Sequence, residues 1–415
     1  MAGFSLFDNA LACDGVPLSA IAEAAGTPTY VYSAETIRAR YHAIDRAFAG
    51  YPHRLHYALK ANSAFAIVRL LKEIGGAVDA NSIWEIDLAR RAGFEPADIV
   101  FTGVGKSDAE LECAVPLGLR AINVESAGEL SRIEAIAQRL GVTVPVAIRI
   151  NPDIDARSHP HISTGLRINK FGVPSDTARD LAQTMARRPA LRLAAIHVHV
   201  GSQITTVEPL RRAAAFLADT AAAFASSGIQ LEYLDAGGGL GVAYDDTTPA
   251  VTAEEYVSAL VAPIRATGLP IVVEPGRSIV APAAVLLARV VDLKPRDATS
   301  TFAVLDAGMT ELLRPALYNA FHRIEPVRPR ATAMQRYELV GPVCESSDVV
   351  GRDRLLPALE QGDLVAIRDA GAYGSAMASN YNRRPLPAEV LVDGGRWRVI
   401  RRRQTVDDML ALESE

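Results

Sequence analysis

One lysine, one glycine cluster, one glutamate and one histidine in this sequence each stand at or near the end of a short apolar run. Lys60 ends the run "LHYALK". A lysine amine that is partly removed from water has a lowered pKa and can form a Schiff base with an aldehyde. A lone lysine at a strand end is more often a solvated charge, so the residues at the ends of the other runs decide between the two interpretations.

Three of those other ends offer groups that suit a phosphorylated aromatic aldehyde. The bare amides of "GGGLG" (Gly237–Gly241) could cradle a phosphate, although such a cluster is often only a tight turn. Glu274 could pair with Arg277, or it could keep a pyridine nitrogen protonated and so make the ring an electron sink. His199 could be a packed residue, or it could stack on that ring. Together with Lys60 these groups predict a pyridoxal phosphate (PLP) site.

A metal site is the competing interpretation of the motif "HVH". His197 and His199 are two residues apart and would face the same side of a strand. Asp79, at the end of another run, is the one further ligand available, and no HxxE or cysteine partner accompanies the pair. The sequence therefore predicts no metal.

The elements that would position these groups form one repeated pattern, in which a short apolar run is followed by an amphipathic stretch. Helix-like stretches such as "SAFAIVRLLKEIG" and "SAGELSRIEAIAQRLG" open with Ser and close with Gly, as capped helices do. Eight alternations predict a (β/α)₈ barrel, whose active site lies at the carboxyl ends of the strands, and an open doubly wound sheet is the alternative. The eight runs span residues 55–60, 76–80, 99–103, 121–124, 146–151, 195–201, 233–239 and 271–276.

After Pro282 the pattern changes to strands joined by turns, with little helix. The runs "AVLLARVVDL", "TFAVLDAG", "YELVGP", "DLVAIRDAG" and "EVLVDGGRWRVIRRR" predict a second, β-rich domain. The segment before about Ser33 also has strand-like pieces, and the pattern alone assigns it to neither part.

Composition and charge narrow the class of protein. The chain has 415 residues, 49% of them hydrophobic, and a net charge of -5, which gives no footprint for nucleic acid or for an acidic membrane surface. Its three cysteines, Cys13, Cys113 and Cys344, are far apart and suit neither zinc nor a disulfide framework. No signal peptide or membrane span is visible, so a cytoplasmic protein is expected.

The sequence resembles the diaminopimelate decarboxylase family, part of the PLP-dependent group that includes ornithine and arginine decarboxylases and, more distantly, alanine racemase. The motifs that carry the resemblance occur in order along nearly the whole chain: "YVYS", "YALKAN", "INPDIDARSHPHISTGLRINKFG", "HVHVGSQ", "DAGGGLG", "EPGRSIV", "LRPALYNAFH", "VGPVCESSD" and "DAGAYG". It implies a PLP-binding barrel over residues 34–280. It also implies a β-rich domain of residues 1–33 and 281–415 that contributes to the active site and to a dimer interface.

The resemblance also implies roles for residues. The implied catalytic residues are Lys60, which would carry PLP, the stacking His199, the pyridine partner Glu274, and Cys344, which would donate a proton from the partner subunit. The implied cofactor-binding residues are Lys60, Asp79, His199, Ser202, Gly237, Gly238, Gly239, Glu274, Gly276, Arg277 and Tyr373. The implied substrate-binding residues are Arg277, Arg314, Tyr318, Glu345 and Tyr373.

The expected reaction is the conversion of meso-2,6-diaminopimelate to L-lysine and carbon dioxide, the last step of lysine biosynthesis, in a homodimer with shared active sites. Arg314 favours this substrate over ornithine, which has no distal carboxylate to bind. Another basic amino acid decarboxylase, for ornithine, arginine or lysine, and a non-catalytic homologue are the alternatives. The non-catalytic alternative is disfavoured because Lys60 and the glycine cluster are both present.

Overall fold

The strand–helix alternation of the middle of the chain and the strand-rich pattern of its end both occur in the computed structural model, which describes residues 3–155 and 169–413. The chain divides into two compact units. The first, called the barrel unit here, comprises Tyr41–Val242 and Pro249–Arg277. The second, called the β-rich unit, comprises Met1–Arg40, Ala243–Thr248 and Ser278–Glu415.

The described residues contain short strands and helices of very different length. The strands are β1 (Phe4–Phe7), β2 (Ala10–Cys13), β3 (Val16–Pro17), β4 (Thr29–Ser33), β5 (His53–Ala58), β6 (Ala77–Ala80), β7 (Ile99–Phe101), β8 (Ala121–Val124), β9 (Val144–Arg149), β10 (Leu191–His197), β11 (Tyr233–Asp235), β12 (Ile271–Val273), β13 (Ala284–Pro295), β14 (Ser300–Leu305), β15 (Ile324–Pro326), β16 (Met334–Val340), β17 (Val349–Pro357), β18 (Leu364–Ile367), β19 (Ala388–Asp393) and β20 (Arg396–Arg401). The α-helices are α1 (Leu18–Ala25), α2 (Ala34–Ala47), α3 (Phe65–Glu73), α4 (Ile83–Arg91), α5 (Asp108–Ala114), α6 (Ala127–Leu140), α7 (Ser175–Thr184), α8 (Val207–Ser226), α9 (Ala253–Ile264), α10 (Arg277–Val280), α11 (Arg314–Tyr318) and α12 (Val406–Leu410).

The barrel unit is built on a closed ring of parallel strands, β5 to β12 in chain order, with β12 paired to β5. Each of the eight predicted runs overlaps one of these strands, so the (β/α)₈ prediction is confirmed and the open-sheet alternative is wrong. Small side chains such as Ala121, Ala147 and Ala195 pack with Tyr233 in one buried cluster. The pairing places Ala58 level with Asp79, and His197 level with both Arg149 and Asp235, so the carboxyl ends of these strands meet at one rim.

Helix capping agrees with the sequence in one case and differs in another. Ser126 caps α6 by accepting a hydrogen bond from the Glu129 N–H, and Gly141 ends the helix in a left-handed conformation, as expected. The prediction that Ser63 caps α3 is wrong, because the N-cap is Ala64 and makes no side-chain cap bond. Asn62 closes a turn just before the helix, where its Oδ1 accepts the Ala64 N–H at 2.9 Å.

The β-rich unit is built from strands, as the sequence pattern predicts, and these strands form two sheets. Strands β1, β2 and β3 form a three-stranded sheet. The larger, nine-stranded sheet has the order β17-β16-β14-β13-β4-β19-β20. In addition, β18 pairs with β13, and β15 pairs with β18. Its edge strand β20 carries the first part of the basic run "RVIRRR" and is largely exposed, as expected of a solvated strand edge. The core of the unit includes Phe4, Leu11, Val31, Leu287, Val327 and Val390.

Across residues 3–155 and 169–413, no helix combines the length and the apolar character that crossing a membrane requires.

Candidate active site

Lys60 lies immediately beyond strand β5, in a single turn of 3₁₀ helix, Leu59–Ala61. Its Nζ is 3.3 Å from Oδ2 of Asp79, which is fully buried near the end of the neighbouring strand β6. The Asn81 side-chain amide donates to the same carboxylate oxygen at 3.1 Å. The lysine side chain is about one-third exposed (35%), so its amine is anchored by a buried charge and still accessible.

Glu85 belongs to this group and was not predicted from the sequence. It accepts the backbone N–H of Asn81 at 2.6 Å, while Ser82 caps helix α4 by accepting the Glu85 N–H. Burial, with the Asp79 carboxylate, raises the pKa of Glu85 to about 7, against the lowering effects of the Asn81 N–H and Lys60. The sequence signal that could have identified Glu85 is the helix-capping pattern "SIWE", which comes just after the strand that contains Asp79.

Glu274 follows strand β12 and is buried beside His197, whose Nε2 is 3.4 Å from Glu274 Oε2. Burial opposes the charged carboxylate, but the His197 imidazole, with Lys60 and Arg149, lowers the pKa of Glu274 to about 2. Burial alone would lower the pKa of His197. The nearby carboxylates of Glu274 and Asp235 outweigh that effect, so the pKa of His197 is raised. Glu274 is therefore ionised, and its structural partner is His197 rather than Arg277.

Asp235 completes a buried group with His197 and Glu274, in which one ligand atom from each residue lies within 4.8 Å of the others. The sequence analysis considered His197, His199 and Asp79 as the possible metal ligands. His199 is not in this buried group, because strand β10 ends at His197 and His199 lies beyond it. Burial, and then the charge of Glu274, raises the pKa of Asp235 well above its usual range. The His197 imidazole is thus close to two carboxyl groups, Glu274 and Asp235, whose charges influence each other.

The glycine cluster packs directly against the ends of strands β10 and β12. The Gly238 N–H donates to His199 Nδ1 at 3.0 Å. A side chain at Gly238 would place its Cβ 2.2 Å from the Glu274 carbonyl oxygen, and Gly237 and Gly239 have φ of +62° and +110°. Only glycine fits these three positions, and the result is a loop whose backbone can approach a ligand closely.

His199 is held neutral at this rim. Burial, followed by the cations Lys60 and Arg149, lowers the pKa of His199 well below its usual range. A neutral imidazole fixed through Nδ1 presents a flat, uncharged face, which suits stacking on an aromatic ring.

Gly276 and Arg277 connect the end of strand β12 to the lysine turn and to the segment that follows strand β10. A Cβ at Gly276 would lie 2.9 Å from the Cβ of Ala61, so the two backbones pack closely. The Arg277 guanidinium donates to Ser202 Oγ, from Nη2 at 3.0 Å and from Nε at 3.3 Å. The barrel unit therefore brings the following predicted site residues to one rim: Lys60, Asp79, His199, Ser202, Gly237, Gly238, Gly239, Glu274, Gly276 and Arg277.

A second buried ion pair lies at the same rim. Arg149 Nη1 is 2.5 Å from Oε1 of Glu125, and the other oxygen of Glu125 accepts the Gly172 N–H at 2.7 Å. Phe171 of the motif "NKFG" lies with its ring 4.7 Å from the Arg149 guanidinium carbon. Residues 156–168 of the long motif that precedes it lie outside the described residues.

The remaining predicted site residues lie in the β-rich unit. Arg314 and Tyr318 are four residues apart on helix α11 and so share a face; Arg314 is buried and Tyr318 half-buried. Tyr373 is half-buried in a loop and has φ of +55°.

Cys344 and Glu345 lie in the loop between β16 and β17, and both are exposed. The Cys344 N–H donates to Asn382 Oδ1 at 3.3 Å, and Glu345 Oε1 accepts from the Tyr381 hydroxyl at 2.7 Å. Asp348 holds the loop by accepting the N–H groups of Val343 at 2.8 Å and Met309 at 2.6 Å. Cys344 is therefore exposed and does not belong to the core.

The fold and the rim define the class of protein. The family described as "Pyridoxal-dependent decarboxylase, pyridoxal binding domain" matches residues 34–281. The chain is a PLP-dependent decarboxylase, a lyase.

Full-length relatives define the family more closely. The diaminopimelate decarboxylase of Pseudomonas aeruginosa is 46% identical over 411 residues, which cover 99% of this chain and 98% of that protein. The diaminopimelate decarboxylase of Vibrio cholerae is 44% identical, over 98% of this chain and 97% of that protein. The crystal structure of the Helicobacter pylori diaminopimelate decarboxylase complexed with L-lysine is 40% identical, with a TM-score of 0.92 over 95% of this chain and 98% of that one. The chain belongs to the diaminopimelate decarboxylase family.

The rim fits the PLP cofactor of this family. Within the described residues Glu274 Oε1 is buried and has no hydrogen-bond partner, as a site for a protonated pyridine nitrogen requires. An accessible amine on Lys60 and a loop in which three glycines admit no side chain supply the groups that an aldehyde and a phosphate need.

Proposed function

We propose that this chain decarboxylates meso-2,6-diaminopimelate to L-lysine and carbon dioxide with PLP. This reaction is the last step of lysine biosynthesis. The observation that carries the proposal is the rim itself: Lys60, neutral His199 and ionised Glu274 stand at the ends of three strands of one barrel. That barrel lies in a chain that aligns with a diaminopimelate decarboxylase over 99% of its length.

Cofactor binding is assigned to the barrel rim. Lys60 would hold the aldehyde carbon covalently, His199 would stack on the ring, and the free oxygen of Glu274 would accept the pyridine N–H. The phosphate would lie on the loop of Gly237, Gly238 and Gly239, and the hydroxyl groups of Ser202 and Tyr373 would donate further hydrogen bonds to it. Asp79 would orient the lysine amine, and Gly276 would keep the end of strand β12 close to the lysine turn.

In the reaction the bond between the α-carbon and its carboxylate breaks, carbon dioxide leaves, and the electron pair stays on the α-carbon until a proton is added there. PLP, when bound, supplies a protonated pyridine ring that delocalises this pair. Glu274 would keep that ring protonated, because His197 keeps the Glu274 carboxylate ionised. Cys344 is proposed as the proton donor; its exposure leaves the thiol accessible.

Substrate recognition is assigned to charged groups that suit the far end of diaminopimelate. That end carries a carboxylate and an ammonium. Arg277 and Arg314, with the Tyr318 hydroxyl, would bind the carboxylate, and Glu345 would bind the ammonium. Tyr373 is proposed to contact the substrate as well as the phosphate.

We also propose that the protein is a cytoplasmic homodimer in which Cys344 acts in the active site of the partner subunit. All three cysteines are free, which suits a reducing compartment. An exposed Cys344 and Glu345 would be available to a second subunit.

A substrate competition assay tests the reaction. Purified protein with PLP should form lysine and carbon dioxide in equal amounts from meso-diaminopimelate, with ornithine, arginine and lysine consumed far more slowly in the same mixture. Faster turnover of ornithine, arginine or lysine would assign the chain to another basic amino acid decarboxylase. No turnover of any of them would make it a non-catalytic homologue.

A mixing experiment tests the shared site. Lys60→Ala and Cys344→Ala protomers should each be inactive as homodimers, and their heterodimers should recover activity because one of the two composite sites is intact. The control is a mixture of Lys60→Ala with a differently tagged Lys60→Ala protomer, which should recover none. Heterodimers that form without any recovery would contradict the shared site.

A further inference from the structure

A fully buried histidine in the β-rich unit contacts Arg314. His322 Nε2 lies 2.8 Å from Arg314 Nη1, and His322 Nδ1 lies 2.8 Å from the carbonyl oxygen of Arg368. The motif "LRPALYNAFH" contains both Arg314 and His322, but the proposed function gives His322 no part.

The chemistry of the two contacts fixes the state of the ring. A guanidinium can only donate, so Nε2 must accept, and a carbonyl oxygen can only accept, so Nδ1 must carry the proton. His322 is therefore the neutral Nδ1–H tautomer, and its ring is held by the backbone on one side and faces Arg314 on the other.

A third group confines the guanidinium. The Arg314 guanidinium carbon lies 4.5 Å from the centre of the Tyr244 ring, and the Tyr244 ring meets the His322 ring edge-on at 5.2 Å. One contact sets the direction of Nη1 and the other restricts the plane of the guanidinium. Both Arg314 and His322 are buried, with exposures of 4% and 0%, so water competes little for these contacts.

We infer that His322 is a positioning residue that orients Arg314 for the distal carboxylate of the substrate. This inference rests on the proposed function, in which Arg314 binds that carboxylate. A guanidinium that is already oriented loses less conformational freedom when it forms a bidentate pair. This gain in affinity applies only to substrates that have a distal carboxylate. His322 therefore contributes to the preference for diaminopimelate over ornithine.

The test compares two substitutions of His322 in the holoenzyme. His322→Phe keeps a flat ring but removes the acceptor for Arg314, and the KM for meso-diaminopimelate should rise on the order of 10- to 100-fold, the loss of one hydrogen bond to a charged group. The kcat and the content of bound PLP should stay unchanged. His322→Gln keeps an amide oxygen and an N–H, so it should restore most of the affinity.

Two further variants separate positioning from general destabilisation. Val327→Ala creates a small cavity in the core of the same unit without touching Arg314, and its KM should equal that of the unmodified protein. Arg314→Ala should raise the KM strongly, and the double variant Arg314→Ala/His322→Phe should be no worse than Arg314→Ala, because both substitutions remove one interaction.

The outcomes distinguish this inference from the function on which it rests. A strong effect of Arg314→Ala together with an unchanged KM in His322→Phe would overturn the role of His322 alone. A double variant in which the two effects add in full would overturn it as well, and so would a Val327→Ala variant with the same rise in KM. An unchanged KM in Arg314→Ala would overturn both the assignment of Arg314 and this inference. An unmodified protein that forms no lysine from diaminopimelate would overturn the proposed function.

Discussion

The barrel rim and the loop of Cys344 and Glu345 present their polar groups in opposite ways. At the rim, charges are buried in pairs: Glu274 with His197, and Arg149 with Glu125. In the loop, Cys344 and Glu345 are exposed, and hydrogen bonds to Asn382 and Tyr381 hold them in place.

This difference separates two kinds of site residue. Removing one member of a buried pair leaves a charge without compensation and costs stability or catalysis, whereas an exposed residue in the loop can be changed at little cost to the fold.

The largest expected effect is on stability, at the buried pair of Lys106 and Glu129. Lys106 Nζ donates at 2.7 Å to Glu129 Oε1 and also, at 2.7 Å each, to the carbonyl oxygens of Gly103 and Asn123. Lys106→Met should lower the free energy of unfolding by about 3–5 kcal/mol, since the buried Glu129 charge loses its partner. Urea denaturation of both proteins measures this change in the free energy of unfolding. The matched control is Arg91→Met, which breaks the exposed pair with Asp87 and should cost less than about 1 kcal/mol; equal losses would contradict the distinction.

The next effect is on catalysis, at Glu274. Glu274→Gln keeps the shape of the side chain but cannot hold a pyridine nitrogen protonated. The kcat should fall on the order of 10²- to 10³-fold, as when one preorganised electrostatic partner is removed. The protein should remain folded and retain PLP on Lys60, which the absorption of the bound cofactor reports. An unchanged kcat would remove Glu274 from the reaction.

A smaller effect concerns the pH dependence of stability at Glu85. Burial raises the pKa of Glu85 from 4.5 to about 7 in the folded state. The folded protein therefore binds more protons than the unfolded chain between these values, and stability falls as pH rises through this window. Glu85→Gln should remove a slope of at most about 1.4 kcal/mol per pH unit. Unfolding curves measured across the window test this, and parallel curves for the two proteins would show that Glu85 does not titrate there.

The smallest effect is expected in the loop, at Tyr381. Tyr381→Phe removes the hydroxyl that donates to Glu345. Stability should not change measurably, because both residues are exposed, and the KM for diaminopimelate should rise less than about tenfold. Thermal unfolding and steady-state kinetics test the two parts. A clear loss of stability would mean that this loop, like the rim, depends on its polar contacts for folding.

The same contrast explains how much of the molecule the sequence predicted. Strand periodicity located all eight barrel strands and placed Lys60, Asp79 and Glu274 at their ends, because register in a parallel barrel aligns those ends automatically. Cys344 and Glu345 lie on a loop whose path follows from hydrogen bonds to distant residues, so only the resemblance to a family could single them out.

Pairings between strands were beyond the sequence pattern. His197 was expected as a polar strand end or a metal ligand, and its contact with Glu274 depends on side-chain directions across the barrel interior. The contact of His322 with Arg314 follows from a local turn after helix α11, which ends at Asn319 in a left-handed conformation. The turn in which Asn62 accepts the Ala64 N–H, where the sequence suggested a cap at Ser63, is a local choice of the same kind.

The most direct test of the account is the substitution of Lys60 by alanine, with Lys294→Ala, an exposed lysine of strand β13, as the control. The account predicts that Lys60→Ala loses both the absorption band of covalently bound PLP and the formation of lysine from meso-diaminopimelate, while Lys294→Ala keeps both. Full decarboxylation by Lys60→Ala would contradict it.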